Sequence, residues 1–198
     1  MSEFEKWEER YRTGDIPWDT GQPSTELQRV IQEEHIKPCR AIELGCGTGT
    51  NAVWLAQQGF DISAVDLSPL AIAQAKTRAA AAGVKINFRS ADLLDPPDLD
   101  GPYDFFFDRG CYHVVRRTDV QRFLETLERI TRAGTLGLVL AGNAREPHDP
   151  GPPVVQDKEM RAELGQLFDI RRLREFRFDQ SDQCGVRFLG WSCFVERR

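Results

Sequence analysis

From Ala41 onward, short apolar runs alternate along the chain with amphipathic stretches. The strand-sized runs are Ala41 to Leu44, Phe60 to Asp66, Val84 to Ser90, Tyr103 to Asp108, Thr135 to Gly142, Phe168 to Phe178 and Val186 to Val195. Helical segments between such runs build parallel βαβ units, so the pattern predicts a doubly wound α/β sheet. Ser68 before Pro69 is an N-cap with proline at the first helical position, opening an alanine-rich helix that Gly83 ends. Thr118 and Gln121 read as a capping box for the apolar stripe Val120, Phe123, Leu124, Leu127 and Ile130, closed by Gly134. Ahead of the first strand, Thr25 and Gln28 suggest another capping box, with Leu27, Val30 and Ile31 at helical spacing. Phe4 to Pro23 reads as a short helix and an irregular arm, and the proline-rich stretches Asp95 to Pro102 and Glu146 to Pro153 read as loops. No repeat or linker divides the chain. The expectation is one domain over residues 1–198, with an arm or lid over 1–23 and an α/β core over 24–198.

Composition narrows the class without changing this picture. A chain of 198 residues, 40% hydrophobic and 29% charged, suits one buried core. Its longest apolar runs, such as Leu136 to Ala141, fall far short of a membrane span, and Met1 to Trp18 lacks the apolar stretch of a secretory signal. Cys39, Cys46, Cys111, Cys184 and Cys193 form an odd set without CxxC or zinc-like spacing, which fits reduced thiols in the cytoplasm. A formal charge of -5 gives no general attraction to phosphate backbones, so nucleic acid is not the expected partner. Arg171, Arg172, Arg174 and Arg177, in a late strand, read as a solvated edge face.

The chemistry concentrates after the first strand, in Glu43-Leu44-Gly45-Cys46-Gly47-Thr48-Gly49, which opens a helix where a doubly wound sheet places its ligand. A nicotinamide fingerprint would read GxGxxG/A, but the third glycine comes one position early, and the loop lacks the GKS or GKT ending of a Walker A. Glu43 would repel a pyrophosphate and suits a ligand carrying an ammonium and a sulfonium, which favours S-adenosylmethionine. Asp66 ends the second strand 17 residues beyond Gly49, about the offset at which an acid grips ribose hydroxyls. Asp92 follows the third strand, where it suits an adenine amino group. Three acids at successive strand ends beside GxGxG make one constellation, which takes in the neighbouring Leu67 and Leu93.

These residues resemble the class I methyltransferase superfamily, whose ExGxGxG signature Glu43 to Gly49 matches. More narrowly, Trp7-Glu8-Glu9-Arg10-Tyr11, Pro17-Trp18-Asp19-Thr20-Gly21 and Asp108-Arg109-Gly110 resemble the thiopurine, thiol and halide methyltransferase family, over nearly the whole chain. The resemblance implies a Rossmann-like seven-stranded sheet of order 3-2-1-4-5-7-6 with the last strand antiparallel, and an aromatic arm over S-adenosylmethionine. Trp7, Tyr11 and Trp18 match the arm aromatics, with Tyr11 where relatives usually have tryptophan. Asp108 and Arg109 fall at the cofactor and acceptor boundary. Amino-group methyltransferases acting on bases carry Asn/Asp-Pro-Pro-aromatic at this point, and Asp108-Arg109-Gly110-Cys111 departs from it. Arg109, Tyr112 and His113 are the acceptor-side candidates, His113 as a general base. Cys111 lacks the surroundings of a nucleophile, and Cys111, His113 and His148 lack metal-site spacing, so no metal is expected.

The implied reaction is transfer of a methyl group to a small soft nucleophile of thiol, chalcogen or halide type, by a cytoplasmic monomer. Alignment of the reactants can supply about 7–11 kcal/mol, so neither acid nor base is obligatory. The alternatives are a small-molecule oxygen or nitrogen acceptor, a nicotinamide oxidoreductase, and a non-catalytic cofactor-binding module.

Overall fold

The computed structural model describes residues 2–147, 151–181, 185 and 187–198. His148, Cys184 and Val186 lie outside them. The elements are α1 (Glu3–Thr13), α2 (Thr25–Glu33), β1 (Arg40–Leu44), α3 (Thr50–Gln57), β2 (Asp61–Asp66), α4 (Pro69–Ala81), β3 (Asn87–Ser90), β4 (Phe105–Arg109), α5 (Tyr112–Ile130), β5 (Leu136–Asn143), β6 (Val154–Val155), α6 (Asp157–Leu164), β7 (Phe168–Ser181) and β8 (Arg187–Arg197).

One sheet runs in the order β3-β2-β1-β4-β5-β8-β7, with β8 antiparallel to both neighbours and the short β6 paired to β5. Apart from β6, this is the predicted order and orientation. Alternation along β4 shows how the sheet is sealed on both faces: Phe105 and Phe107 enter the core beside α2 and α3, and Phe106 enters the other, against α5 and β7. All three rings are fully buried, each contributing about 1.5–3 kcal/mol by leaving water.

Several boundaries depart from the sequence reading, each for a local reason. The cap of α2 is Ser24, whose hydroxyl accepts from Leu27 N, while Thr25 turns outward and donates to Asp179 Oδ1. In α5 the backbone leaves helical geometry at Asp119 (φ -159°, ψ 97°), and Asp119 rather than Thr118 caps the second half by accepting from Arg122 N at 3.1 Å. That helix also begins earlier, at Tyr112, and ends at Ile130 with Thr131 extended, before Gly134. β3 is confined to Asn87–Ser90, and β6 and α6 occupy a stretch assigned no element from sequence. As predicted, Ser68 caps α4 with Pro69 in its first turn.

The arginines of β7 face acidic partners. Arg174 pairs with Glu26 and Glu33, Arg172 with Glu33 and Glu34, Arg171 with Glu196, and Arg177 with Glu146. They tie the sheet edge to α2 and to the loop after β5. Among the described residues, no helix is long and apolar enough to cross a membrane.

Candidate functional site

The carboxyl ends of β1, β2 and β4 lie side by side in the parallel sheet, the edge where a doubly wound fold holds its ligand crevice, and the loop from β1 to α3 leaves the sheet there. Gly45, Gly47 and Gly49 take φ of +66°, +53° and +79°, a backbone that side chains disfavour. Space is equally restrictive. A Cβ on Gly45 would stand 2.6 Å from Cys111 Cβ, and one on Gly49 2.8 Å from Ala75 Cβ. Asp66 holds the loop in place, accepting from Gly47 N at 2.8 Å and from Ser68 N at 2.9 Å.

Glu43, at the end of β1, is buried. Asn51 Nδ2 donates to its Oε1 at 3.2 Å, but no described residue hydrogen-bonds its Oε2. Burial pushes its carboxyl up to about 8. A buried carboxylate oxygen without a donor is costly, and a cationic ligand group resolves the cost. The donor set thus fits an ammonium-bearing cofactor. Asn51 was not foreseen from sequence. Its Oδ1 accepts from Ser24 N at 2.8 Å, so it couples the start of α2 to Glu43.

The arm lies directly on the glycine loop. α1 is set by a capping box between Ser2 and Glu5 and ends at Gly14 in the left-handed region. Trp18 then packs edge-to-face against Trp7 (5.4 Å) and Tyr11 (6.2 Å), with the Arg10 guanidinium 4.3 Å from its ring centre. The Tyr11 hydroxyl lies 3.0 Å from where a Gly47 Cβ would stand. Asp19 latches the arm. Its carboxylate accepts from Thr48 Oγ1, from Thr50 Oγ1 at 3.2 Å and from Arg78 Nη2 at 3.4 Å, and from Gly21 N within the arm. Asp19 stands inside Pro17-Trp18-Asp19-Thr20-Gly21, but no local signal in the sequence marks it as a latch.

Beside the loop, Cys111 is half-buried, and burial, followed by the charges of Asp108, Asp66 and Asp92, pushes its thiol well above the ordinary range. Asp92 itself is exposed and accepts from Leu94 N. Leu93 is buried, and Leu67 half-buried with its carbonyl accepting from Ser90 Oγ. Asp108 is enclosed and caps α5 through Cys111 N and Tyr112 N, with burial raising its carboxyl to about 7.

The other side of the crevice holds Arg109. Its Nη1 donates to Trp18 O at 3.1 Å, and its guanidinium lies 5.4 Å from the Phe178 ring centre. Burial lowers its pKa, opposed by Asp179, Glu43 and Asp19. Two acceptor-side candidates, Tyr112 and His113, are held by contacts of their own. Tyr112 is fully buried and its hydroxyl donates to Glu163 Oε2 at 2.6 Å, so it braces α5 against α6. His113 accepts from Gly142 N at 2.9 Å through Nδ1, and burial beside Arg109 and Arg117 holds its pKa near 3. A ring so committed is no general base at neutral pH. Among the described residues, no group of three or more His, Cys, Asp or Glu is placed to hold a metal ion.

Comparison with known proteins identifies the family and the fold. The family described as Thiopurine S-methyltransferase (TPMT) matches residues 2–193. The 2-heptyl-1-hydroxyquinolin-4(1H)-one methyltransferase of Mycobacteroides abscessus is 28% identical over 157 residues, covering 78% of this chain and 69% of that protein. Further curated relatives are matched over 32 to 42% of their own length. A protein solved in work on the conversion of a disulfide bond into a thioacetal group during echinomycin biosynthesis superposes with a TM-score of 0.82 at 23% identity, covering 99% of this chain and 92% of that one. Magnesium protoporphyrin IX methyltransferase of Synechocystis, crystallised with S-adenosylmethionine, superposes at 0.72 and 16% identity, covering 100% and 98%. Both share the fold.

Proposed function

The chain belongs to the thiopurine S-methyltransferase family and is an S-adenosylmethionine-dependent methyltransferase, and we propose that its acceptor is a small molecule bound with its nucleophilic atom already ionised, a thiolate, chalcogen anion or halide. The observation that carries this is the end of β4. Arg109 places a guanidinium there, and the two candidate bases beside it in sequence are committed to the backbone: Asp108 accepts from Cys111 N and Tyr112 N, and His113 accepts from Gly142 N with its pKa held near 3 by burial. A cation without a usable base suits an acceptor that has already lost its proton.

S-adenosylmethionine, when bound, would supply a methyl group on a sulfonium, whose transfer to an anionic acceptor would neutralise both charges and require no proton to move. The protein's part is to bind, align and exclude water. In this proposal Glu43 receives the ammonium through its unpartnered oxygen, and Gly45 and Gly47 let the cofactor approach the backbone. Asp66 accepts from the ribose hydroxyls beside Leu67, since a carboxylate holding two N–H groups keeps acceptor capacity. Asp92 and Leu93 meet the adenine. Trp7, Tyr11 and Trp18 cover the cofactor, making residues 1–23 a lid over a single core, 24–198. Asp108 shapes the boundary between cofactor and acceptor. A monomer, cytoplasmic and indifferent to nucleic acid, completes the reading.

A second acceptor class, an ionised oxygen on an aromatic ring, draws support from the Phe178 ring beneath Arg109 and from the hydroxyquinolone in the name of the Mycobacteroides relative. Labelled-methyl transfer to thiols, halides, selenium and tellurium oxyanions and small phenols tests both. Transfer to thiols or halides is expected; transfer confined to phenols selects the second class, and transfer to neutral amines alone contradicts both.

A further inference from the structure

β4 stops at Arg109 while β5 runs on to Asn143, so one edge of β5 outlasts its neighbour. Gly110 N donates to Leu140 O at 2.9 Å as the last contact of that edge with the β4 segment. Two residues on, Gly142 pairs with Gly190 of β8 on one side, so its partner β6 must occupy the β4 side, beyond the end of β4. Beside this pairing Gly142 N donates to His113 Nδ1 at 2.9 Å. The imidazole nitrogen is therefore an acceptor for a strand N–H.

That hydrogen bond fixes the chemistry of the ring. A neutral imidazole accepting at Nδ1 carries its proton at Nε2, and at 6% exposure the ring has little water to exchange with. The Nε2–Cε1 edge faces Gly110. A Cβ there would stand 3.4 Å from Nε2 and 3.5 Å from Cε1, so the missing side chain leaves this edge clear, and φ of +83° keeps glycine favoured. The charged groups facing His113 are Arg109 from β4 and Arg117 from α5, both cations, which with burial keep the ring neutral.

We propose that His113 is an acceptor-binding residue: locked by Gly142, it directs a neutral Nε2–H toward the space beside Gly110, where with Arg109 it selects a small acceptor carrying negative charge on, or next to, the atom to be methylated. The inference rests on the reading of the β4 end as the acceptor side. A fixed donor beside a cation recognises a thiolate or oxyanion and offers nothing to a neutral amine or a protonated thiol.

Long-range proton–nitrogen spectra of the full chain, labelled at its three histidines and saturated with S-adenosylhomocysteine, test this directly, with His113→Leu assigning the signal. His113 should hold the Nε2–H tautomer without titrating between about pH 5 and 8, the window of an unperturbed histidine. Iodide and 4-nitrothiophenolate should shift its Nε2 resonance saturably, 4-nitrotoluene should not, and Arg109→Gln should weaken the anion response about tenfold. An Nδ1–H tautomer, titration within that window, or no anion-dependent shift overturns the proposal. In turnover, His113→Leu should raise KM for 4-nitrothiophenolate about tenfold at unchanged cofactor affinity, and His113→Gln, which keeps a donor, should recover part of it. A folded Leu variant with an unchanged KM contradicts the proposal; should that variant not fold, the wild-type spectra decide. Anions that shift Nε2 without ever being methylated leave the inference standing and remove the thiol and halide acceptors, whereas methylation with no Nε2 response does the reverse.

Discussion

The two sides of the crevice are built in opposite ways. On the glycine-loop side, Glu43 to Gly49 is one stretch of backbone whose carbonyls, N–H groups and missing side chains define the surface, and Asp66 clamps it through Gly47 N and Ser68 N. On the β4–β5 side, side chains brought together by the fold define it and support it: Arg109 meets Phe178, His113 meets Gly142, Arg145 meets both Glu175 and Trp191, and behind them the buried Tyr112 meets Glu163. A surface made of backbone tolerates little variation, so it suits an invariant ligand. A surface made of remote side chains can change residue by residue without disturbing the loop, which suits an acceptor that differs among relatives.

If that division is real, substitutions should affect one side at a time. The largest effect is expected from Glu163→Leu, which leaves the buried Tyr112 hydroxyl without its acceptor and the Arg116 guanidinium with Glu159 alone. Urea unfolding should show a loss of about 2–4 kcal/mol. Affinity of the folded fraction for S-adenosylhomocysteine should stay within about twofold, a change below 0.5 kcal/mol; a large drop would show the two sides coupled. Next comes Asp66→Ala, expected to cost about 1.5–3 kcal/mol of cofactor affinity by calorimetry. A folded variant with unchanged affinity would make Asp66 only a clamp for the loop.

Glu43→Gln sharpens the comparison through pH. The folded carboxyl titrates near 8 against an ordinary 4.5, so between these values the folded chain holds a proton that the unfolded chain has released. Stability is therefore lost as pH rises through that window. The Gln variant should melt above the wild type near pH 8 and level with it below about pH 4, while binding S-adenosylhomocysteine more weakly. A wild-type advantage at pH 8 would mean that Glu43 is stabilised as a carboxylate. The smallest effect belongs to the arm. Asp19→Asn weakens the latch on Thr48, Thr50 and Arg78 by about 1 kcal/mol, read as roughly fivefold faster hydrogen exchange across residues 4 to 21. Unchanged exchange would mean that Trp7, Tyr11 and Trp18 hold the arm by packing alone.

The same division decided what the sequence could disclose. Glu43, the three loop glycines and Asp66 were readable because glycine spacing and strand ends are local signals, and the strand order came with the resemblance they support. Caps were harder to place, since Ser24 and Thr25, or Thr118 and Asp119, are adjacent residues of equal capping chemistry, and only tertiary partners such as Asp179 choose between them. The Asn51 bridge to Glu43, the Asp19 latch and the Tyr112–Glu163 bond join residues 8 to 59 positions apart, with no periodicity to announce them. His113 was singled out as a base on residue type; its actual state follows from a strand ending one residue before Gly110, which no local pattern encodes.

The most direct test of an acceptor that arrives already ionised, at a site without a base, is the pH dependence of kcat/KM for methyl transfer to a series of aromatic thiols of graded acidity. The account predicts that the inflection moves with each thiol's own pKa, because only the free thiolate binds beside Arg109 and His113 and no enzyme group removes its proton. One inflection at the same pH for every thiol in the series would contradict it and place a general base in the protein.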